Sequence, residues 1–133
     1  MNIIIHNEEE SDIEAILQIT KAAFQNHPYS HQTEQFIITA LRKANALTIS
    51  LVAQFGKKVV GHIAFSPVTV SDGTLGWYGL GLISVLPEFQ RKGIEKSLIR
   101  EGLSRLKAAG AKGCILVGDP GHYKPWALEI YRA

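Results

Sequence analysis

Val85-Leu86-Pro87-Glu88-Phe89-Gln90-Arg91-Lys92-Gly93-Ile94-Glu95-Lys96 puts a strand end, a tight turn with one glycine and a helix start in immediate succession. A helix start presents main-chain N–H groups that have no intrahelical acceptor, together with the positive end of the helix dipole. Both suit a phosphate. Gly93 allows a ligand to approach the backbone closely and permits a left-handed conformation. Gln90, Arg91, Lys92 and Lys96 add side-chain donors, and charge-assisted hydrogen bonds at roughly 1.5–3 kcal/mol each would hold a diphosphate. The same residues also fit an ordinary strand-to-helix turn with a solvated basic face. Two nucleotide signatures are absent: there is no G-x-x-x-x-G-K-[ST], and one glycine does not make a G-x-G-x-x-G.

Working outward, residues 47–55 and 59–70 are β-branched runs joined by Gly56-Lys57-Lys58, which predicts a hairpin. Ser71-Asp72-Gly73-Thr74 predicts a second turn, leading to a strand that ends at Leu82-Ile83-Ser84-Val85 and is stopped by Pro87. Beyond the turn, apolar residues at Ile94, Leu98, Ile99, Leu103 and Leu106 predict a helix, with Gly110 past its end as a cap. Residues 114–117 read as a buried strand, and residues 123–131 as a last short helix. Upstream, residues 2–6 read as a strand. Ser11-Asp12-Ile13-Glu14 reads as a capping box opening an amphipathic helix, and Thr33 as the cap of a second helix. The order β-α-α-β-β-β-α-β-α predicts a single α/β domain over residues 1–133.

Composition narrows the class. The 133 residues are 46% hydrophobic and 20% charged, which suits one soluble domain and is too apolar for disorder. No apolar run approaches the roughly 18 residues that cross a bilayer, so no membrane association is expected. Residues 1–6 lack a basic leader, so no signal peptide is expected. A single cysteine, Cys114, excludes an internal disulfide and makes the cytoplasm the default compartment. The net charge is only +2, but Arg91, Lys92, Lys96, Arg100, Arg105 and Lys107 cluster against Glu95 and Glu101. Without aromatic residues interleaved, that cluster points to a small anionic ligand rather than to nucleic acid.

Gln90-x-x-Gly93 after Val-x-Pro, opening a helix, resembles the acetyl-CoA signature of the GNAT-type acyl-CoA N-acyltransferase superfamily, written Q/R-x-x-G-x-G/A. Val60-Gly61-His62-Ile63-Ala64-Phe65-Ser66-Pro67-Val68, Leu80-Gly81-Leu82 and Gly118-Asp119-Pro120 are similar to its YhbS-like branch, so the likeness covers nearly the whole chain. The resemblance implies a central mixed, mostly antiparallel sheet flanked by helices, here lacking the last one or two strands of the family. It implies that a fourth strand splays from the fifth, and that the main chain of Ile83, Ser84 and Val85 pairs with the pantetheine arm. The amides of Arg91, Lys92, Gly93, Ile94, Glu95 and Lys96 would then hold the pyrophosphate. Tyr123, five residues after Gly118, matches the family's general acid for the leaving thiolate. The implied activity is transfer of an acetyl group from acetyl-CoA to a primary amine of a small molecule or peptide, with no metal. The alternative is a non-catalytic CoA-binding or structural domain.

Two departures bear on that choice. The last glycine or alanine of the signature is Glu95 here, and a carboxylate about 5 Å from a phosphate costs on the order of 3 kcal/mol at an effective dielectric of 20. The segment after Gly121 also departs from the family's, leaving an edge at residues 114–117 that would call for a second copy of the chain, hence an expected homodimer. Glu34, His31 and Asp72 border the family's acceptor site and are the candidate general bases. His27 and His31 have a helical metal spacing that Pro28 interrupts. His62 reads as structural and Cys114 as an inert core thiol. Trp77 and Tyr78 fit either substrate contact or packing.

Overall fold

The computed structural model describes residues 2–25, 34–69, 73, 75–117 and 128–132. Its elements run β1 (Ile3–Asn7), α1 (Ile13–Phe24), α2 (Glu34–Lys43), β2 (Ile49–Phe55), β3 (Lys58–Pro67), β4 (Trp77–Val85), α3 (Ile94–Ala108), β5 (Gly113–Val117) and β6 (Leu128–Arg132). The strands form one six-stranded sheet in chain order, antiparallel throughout except where β4 and β5 run parallel.

Alternation along the strands decides what lies on each face of the sheet. Leu51, Ala53, Ile63, Phe65 and Val85 turn to one side and pack against Ile94, Leu98 and Leu106 of α3. Val52, Ala64 and Leu82 turn to the other, against Ile16 of α1 and Ile38 of α2. The sheet is thus covered on both faces, and α3 is laid across β3 by a stripe that repeats every four residues, Ile94, Leu98, Gly102 and Leu106. Gly110 ends that helix with a left-handed φ of 88°. The Ala111 amide reaches the Leu106 carbonyl at 3.0 Å and the Gly110 amide reaches Lys107 at 3.0 Å, the paired bonds of a Schellman cap.

Three expectations are corrected. A short 3-10 turn (Glu10–Asp12) precedes α1, and its cap is made by Glu9 and Asp12 rather than Ser11 and Glu14: the Glu9 amide donates to Asp12 Oδ2 at 2.9 Å. Residues 128–132 form a strand, not the end of a helix. Leu128-Glu129-Ile130-Tyr131-Arg132 has a near-alternating pattern, and its backbone pairs with β5 from Gly113↔Arg132 to Val117↔Leu128. That pairing covers the β5 edge from within the chain, so the reason for expecting a second copy there falls away.

The one glycine of the α3 stripe is required by packing. A Cβ at Gly102 would overlap the Phe65 ring at Cε2 and lie 2.8 Å from Cζ. Phe65 is fully buried and cannot swing away. Gly102→Ala should therefore lower stability by about 1–3 kcal/mol in urea denaturation, despite the better helix propensity of alanine; a stabilised variant would mean that α3 sits farther from β3.

Candidate active site

The parallel ladder between β4 and β5 is short. It joins Trp77↔Gly113, Tyr78↔Cys114 and Gly79↔Ile115, whereas β4 stays paired to β3 as far as Val85. From Leu80 to Val85, no strand among the described residues pairs with the far edge of β4. Main-chain groups on that edge are a template for an extended partner. Ile83 packs on the α3 side, Val85 is buried there, and Ser84 is buried on the opposite face.

The chain then turns into α3 within a few residues. The Leu86 amide ties the strand end to the Val60 carbonyl at 2.9 Å, and a 3-10 turn (Pro87–Phe89) follows. Gln90 Nε2 donates back to the Val85 carbonyl at 3.0 Å, so this side chain braces the turn. Arg91 and Gly93 are both left-handed, with φ of 62° and 87°. Left-handed residues interleaved in a turn are one way that successive N–H groups come to line an anion-binding concavity. A non-glycine residue in that region costs on the order of 1 kcal/mol and tends to persist at ligand sites. Ile94 plugs the helix start into the core, while Arg91, Lys92, Gly93 and Lys96 are exposed and Glu95 is half-buried in the first turn.

The first main-chain bond of the helix runs from the Ser97 amide to the Gly93 carbonyl at 3.1 Å, and a helix start holds its earlier N–H groups outside the intrahelical ladder. A Cβ on Gly93 would meet nothing within 4 Å, so glycine is needed there for conformation alone. The turn is buttressed by the β2–β3 hairpin. The Phe55 and Phe89 ring centroids are 5.9 Å apart, and Lys58 Nζ lies 5.9 Å from the Phe89 centroid. Sequence reasoning missed this support, because it depends on the hairpin folding back beside the turn.

The remaining candidates are dispersed. Glu34 is in the first turn of α2, half-buried. Tyr123, His31 and Asp72, and the His27 and Pro28 of the histidine pair, lie outside the described residues. Tyr78 packs against the α3-side core, and Trp77 is half-buried beside it. Burial pushes the Cys114 thiol up to about 11, in keeping with an unreactive core residue. Among the described residues no three histidine, cysteine, aspartate or glutamate side chains gather as a metal set, and no helix is long and apolar enough to cross a membrane.

A cleft of about 930 Å³ that the sequence did not announce lies between α1 and the β2–β3 hairpin, lined by His6, Asp12, Gln54, Lys57, Lys58 and Leu86 among others. His6 offers Nε2 to Gln54 Oε1 at 3.0 Å and Nδ1 to the Asn7 carbonyl at 2.7 Å. These two acceptors favour the doubly protonated ring and raise the pKa of His6 above its ordinary value. None of the residues from Gln90 to Lys96 lines this cleft.

A family model described as "Acetyltransferase (GNAT) domain" matches residues 5–132. The chain belongs to the GNAT acetyltransferase family. Among GNAT proteins of known structure, a family acetyltransferase from Brucella melitensis in complex with acetyl-CoA superposes with a TM-score of 0.90 at 47% identity, covering 98% of this chain and 88% of its own. YhbS of Escherichia coli, in complex with CoA, superposes with a TM-score of 0.79 at 28% identity, covering 97% of this chain and 69% of its own. Compared by sequence, the uncharacterised N-acetyltransferase YhbS of Escherichia coli K12 is 30% identical over 109 residues, 81% of this chain, and the matched region spans 65% of YhbS. In this GNAT chain, Gly93→Ala should cost about 1 kcal/mol of stability through its backbone alone, with no steric term. Thermal denaturation at matched buffer checks this, and an unchanged midpoint would put Gly93 in a right-handed conformation.

Proposed function

We propose that the chain is an acetyl-CoA-dependent N-acetyltransferase that acts on a primary amine of a small molecule or peptide. The observation that carries the reading is the far edge of β4, unpaired with any described strand from Leu80 onward, leading straight into the left-handed turn that opens α3. An extended arm with its own amides, ending in a diphosphate, is the ligand such a surface fits. The pantetheine arm would pair with the main chain of Ile83, Ser84 and Val85. The pyrophosphate would take the amides of Arg91, Lys92, Gly93, Ile94, Glu95 and Lys96, with Arg91, Lys92 and Lys96 supplying charge and Gln90 bracing the bend. The acetyl-CoA complex of the Brucella relative supports this reading.

In the reaction, the amine lone pair forms a bond to the thioester carbon while donors on the β4 edge hold the carbonyl oxygen, where negative charge develops. The C–S bond then breaks. The surplus proton of the amine passes to a base, for which Glu34 at the start of α2 is one candidate, with His31 and Asp72 the others. The departing thiolate is protonated by Tyr123. A single buried cysteine supports the cytoplasm as the compartment.

Glu95 favours a second reading, a domain that holds CoA without turnover, since its carboxylate stands in the same first turn as the amides. Two measurements separate the readings. Acetyl-CoA at about a hundred times its Kd should stabilise the chain by about 2.7 kcal/mol in thermal melting, and release of free thiol in the presence of an amine should accompany it. Stabilisation without thiol release would favour the second reading, and no stabilisation at millimolar ligand would contradict both. Glu95→Gln should tighten acetyl-CoA binding roughly tenfold by calorimetry, while costing about 0.3–1 kcal/mol of stability through the lost charge at the helix start. Equal or weaker binding would mean that the carboxylate faces away from the phosphates.

A further inference from the structure

On the sheet face covered by α1 and α2, a polar chain runs inward from the surface. Arg42 of α2 pairs with Glu8, which follows β1, and Glu8 accepts the Ser50 hydroxyl of β2. Ser50 Oγ in turn meets His62 Nε2 of β3 at 2.7 Å. Ser50 has one hydroxyl proton, and a carboxylate paired with arginine can only accept, so that proton goes to Glu8. Ser50 must then accept from His62, which fixes the imidazole as the Nε2–H tautomer. His62 is 0% exposed, and burial together with Arg42 lowers its pKa to about 3, so the ring is neutral and Nδ1 carries a bare lone pair.

That lone pair has no partner among the described residues, and neither does the Ser84 hydroxyl, which is 2% exposed. The third such atom is Arg42 Nη2, at the outer end of the chain. His62 and Ser84 are directly opposed across β3 and β4, so their side chains share one face. One is a pure acceptor and the other a donor. The other buried hydroxyl, Thr20 of α1, is already spent on the Ile16 carbonyl at 2.8 Å. A buried acceptor and donor left unmatched are costly, and internal water commonly joins such pairs.

We propose that one internal water bridges His62 Nδ1 and the Ser84 hydroxyl, and that His62 is thereby a positioning residue for the donor strand β4. Through Ser84, the chain Arg42–Glu8–Ser50–His62 fixes the strand whose far edge takes the pantetheine arm; this last link rests on the reading under Proposed function. Among the described residues, the charged groups bonded into this chain are Glu8 and Arg42.

Three measurements on the full chain test it. Long-range 15N–1H spectra of His62 should show Nε2 protonated, Nδ1 unprotonated and no titration from about pH 5 to 8; an Nδ1–H tautomer or a titrating ring overturns the proposal. A crystal structure that resolves ordered water should show one within hydrogen-bond distance of both atoms, and a direct bond or a dry gap overturns it. In calorimetry, Ser84→Ala should raise the Kd for acetyl-CoA roughly tenfold, as expected when a buried partner is lost, and should have little further effect in a His62→Phe background. His62→Gln, which keeps a donor and an acceptor, should retain near-normal affinity. Equal effects of Ser84→Ala in both backgrounds, or loss with His62→Gln equal to that with His62→Phe, overturn the positioning role. If the wild type binds no acetyl-CoA, the donor-binding reading and the positioning role fail together, while the spectra and the water still decide the bridge.

Discussion

The site is a consequence of the shortness of one β-ladder. β4 and β5 meet from Trp77 to Gly79, and beyond Gly79 β4 is paired, among the described residues, with β3 alone. Main-chain groups are obligatory hydrogen-bonding groups, and a strand edge without a neighbouring strand offers them to an extended ligand. The turn after β4 compounds this, because its left-handed residues carry the chain straight into the start of α3, where a helix presents its first N–H groups outside the intrahelical ladder. Edge and turn are contiguous, so a single extended ligand can satisfy both.

Everything else in the fold keeps that opening in place. α3 is held on the sheet by Ile94, Leu98 and Leu106, and Gly102 lets it lie close against Phe65. The β2–β3 hairpin presses Phe55 and Lys58 against Phe89 beneath the turn. On the far side of β5, β6 closes the edge that would otherwise compete for a partner. On the α1 and α2 face, polar groups reach inward from the half-buried Arg42 to the buried His62 under the same strand. Packed elements beside an open strand edge are what pre-organised ligand binding requires.

Much of this was legible in the sequence, for local reasons. The β2–β3 hairpin, β4, α3 and the turn between them follow from runs of β-branched residues, one helical stripe and a few turn residues. The positive φ at Gly93 follows from the glycine itself. The mixed sheet and the splayed β4 came with the family resemblance; the sheet is mixed, and the β4–β5 ladder ends at Gly79↔Ile115. What was missed is nonlocal. β6 alternates imperfectly over five residues, and only its pairing with β5 reveals it as a strand. The left-handed Arg91 carries no signal of its own, since arginine has no preference for that conformation. The neighbours of His62 come from α2, the segment after β1, β2 and β4, a grouping that one strand of sequence cannot announce.

The most direct test of the account is a titration of 15N-labelled protein with acetyl-CoA, following every main-chain amide. The account predicts that the largest shifts fall on Arg91 to Lys96 and on the β4 edge from Leu80 to Val85. Shifts concentrated instead at His6, Asp12, Lys57 and Lys58, with the first amides of α3 unmoved, would contradict it.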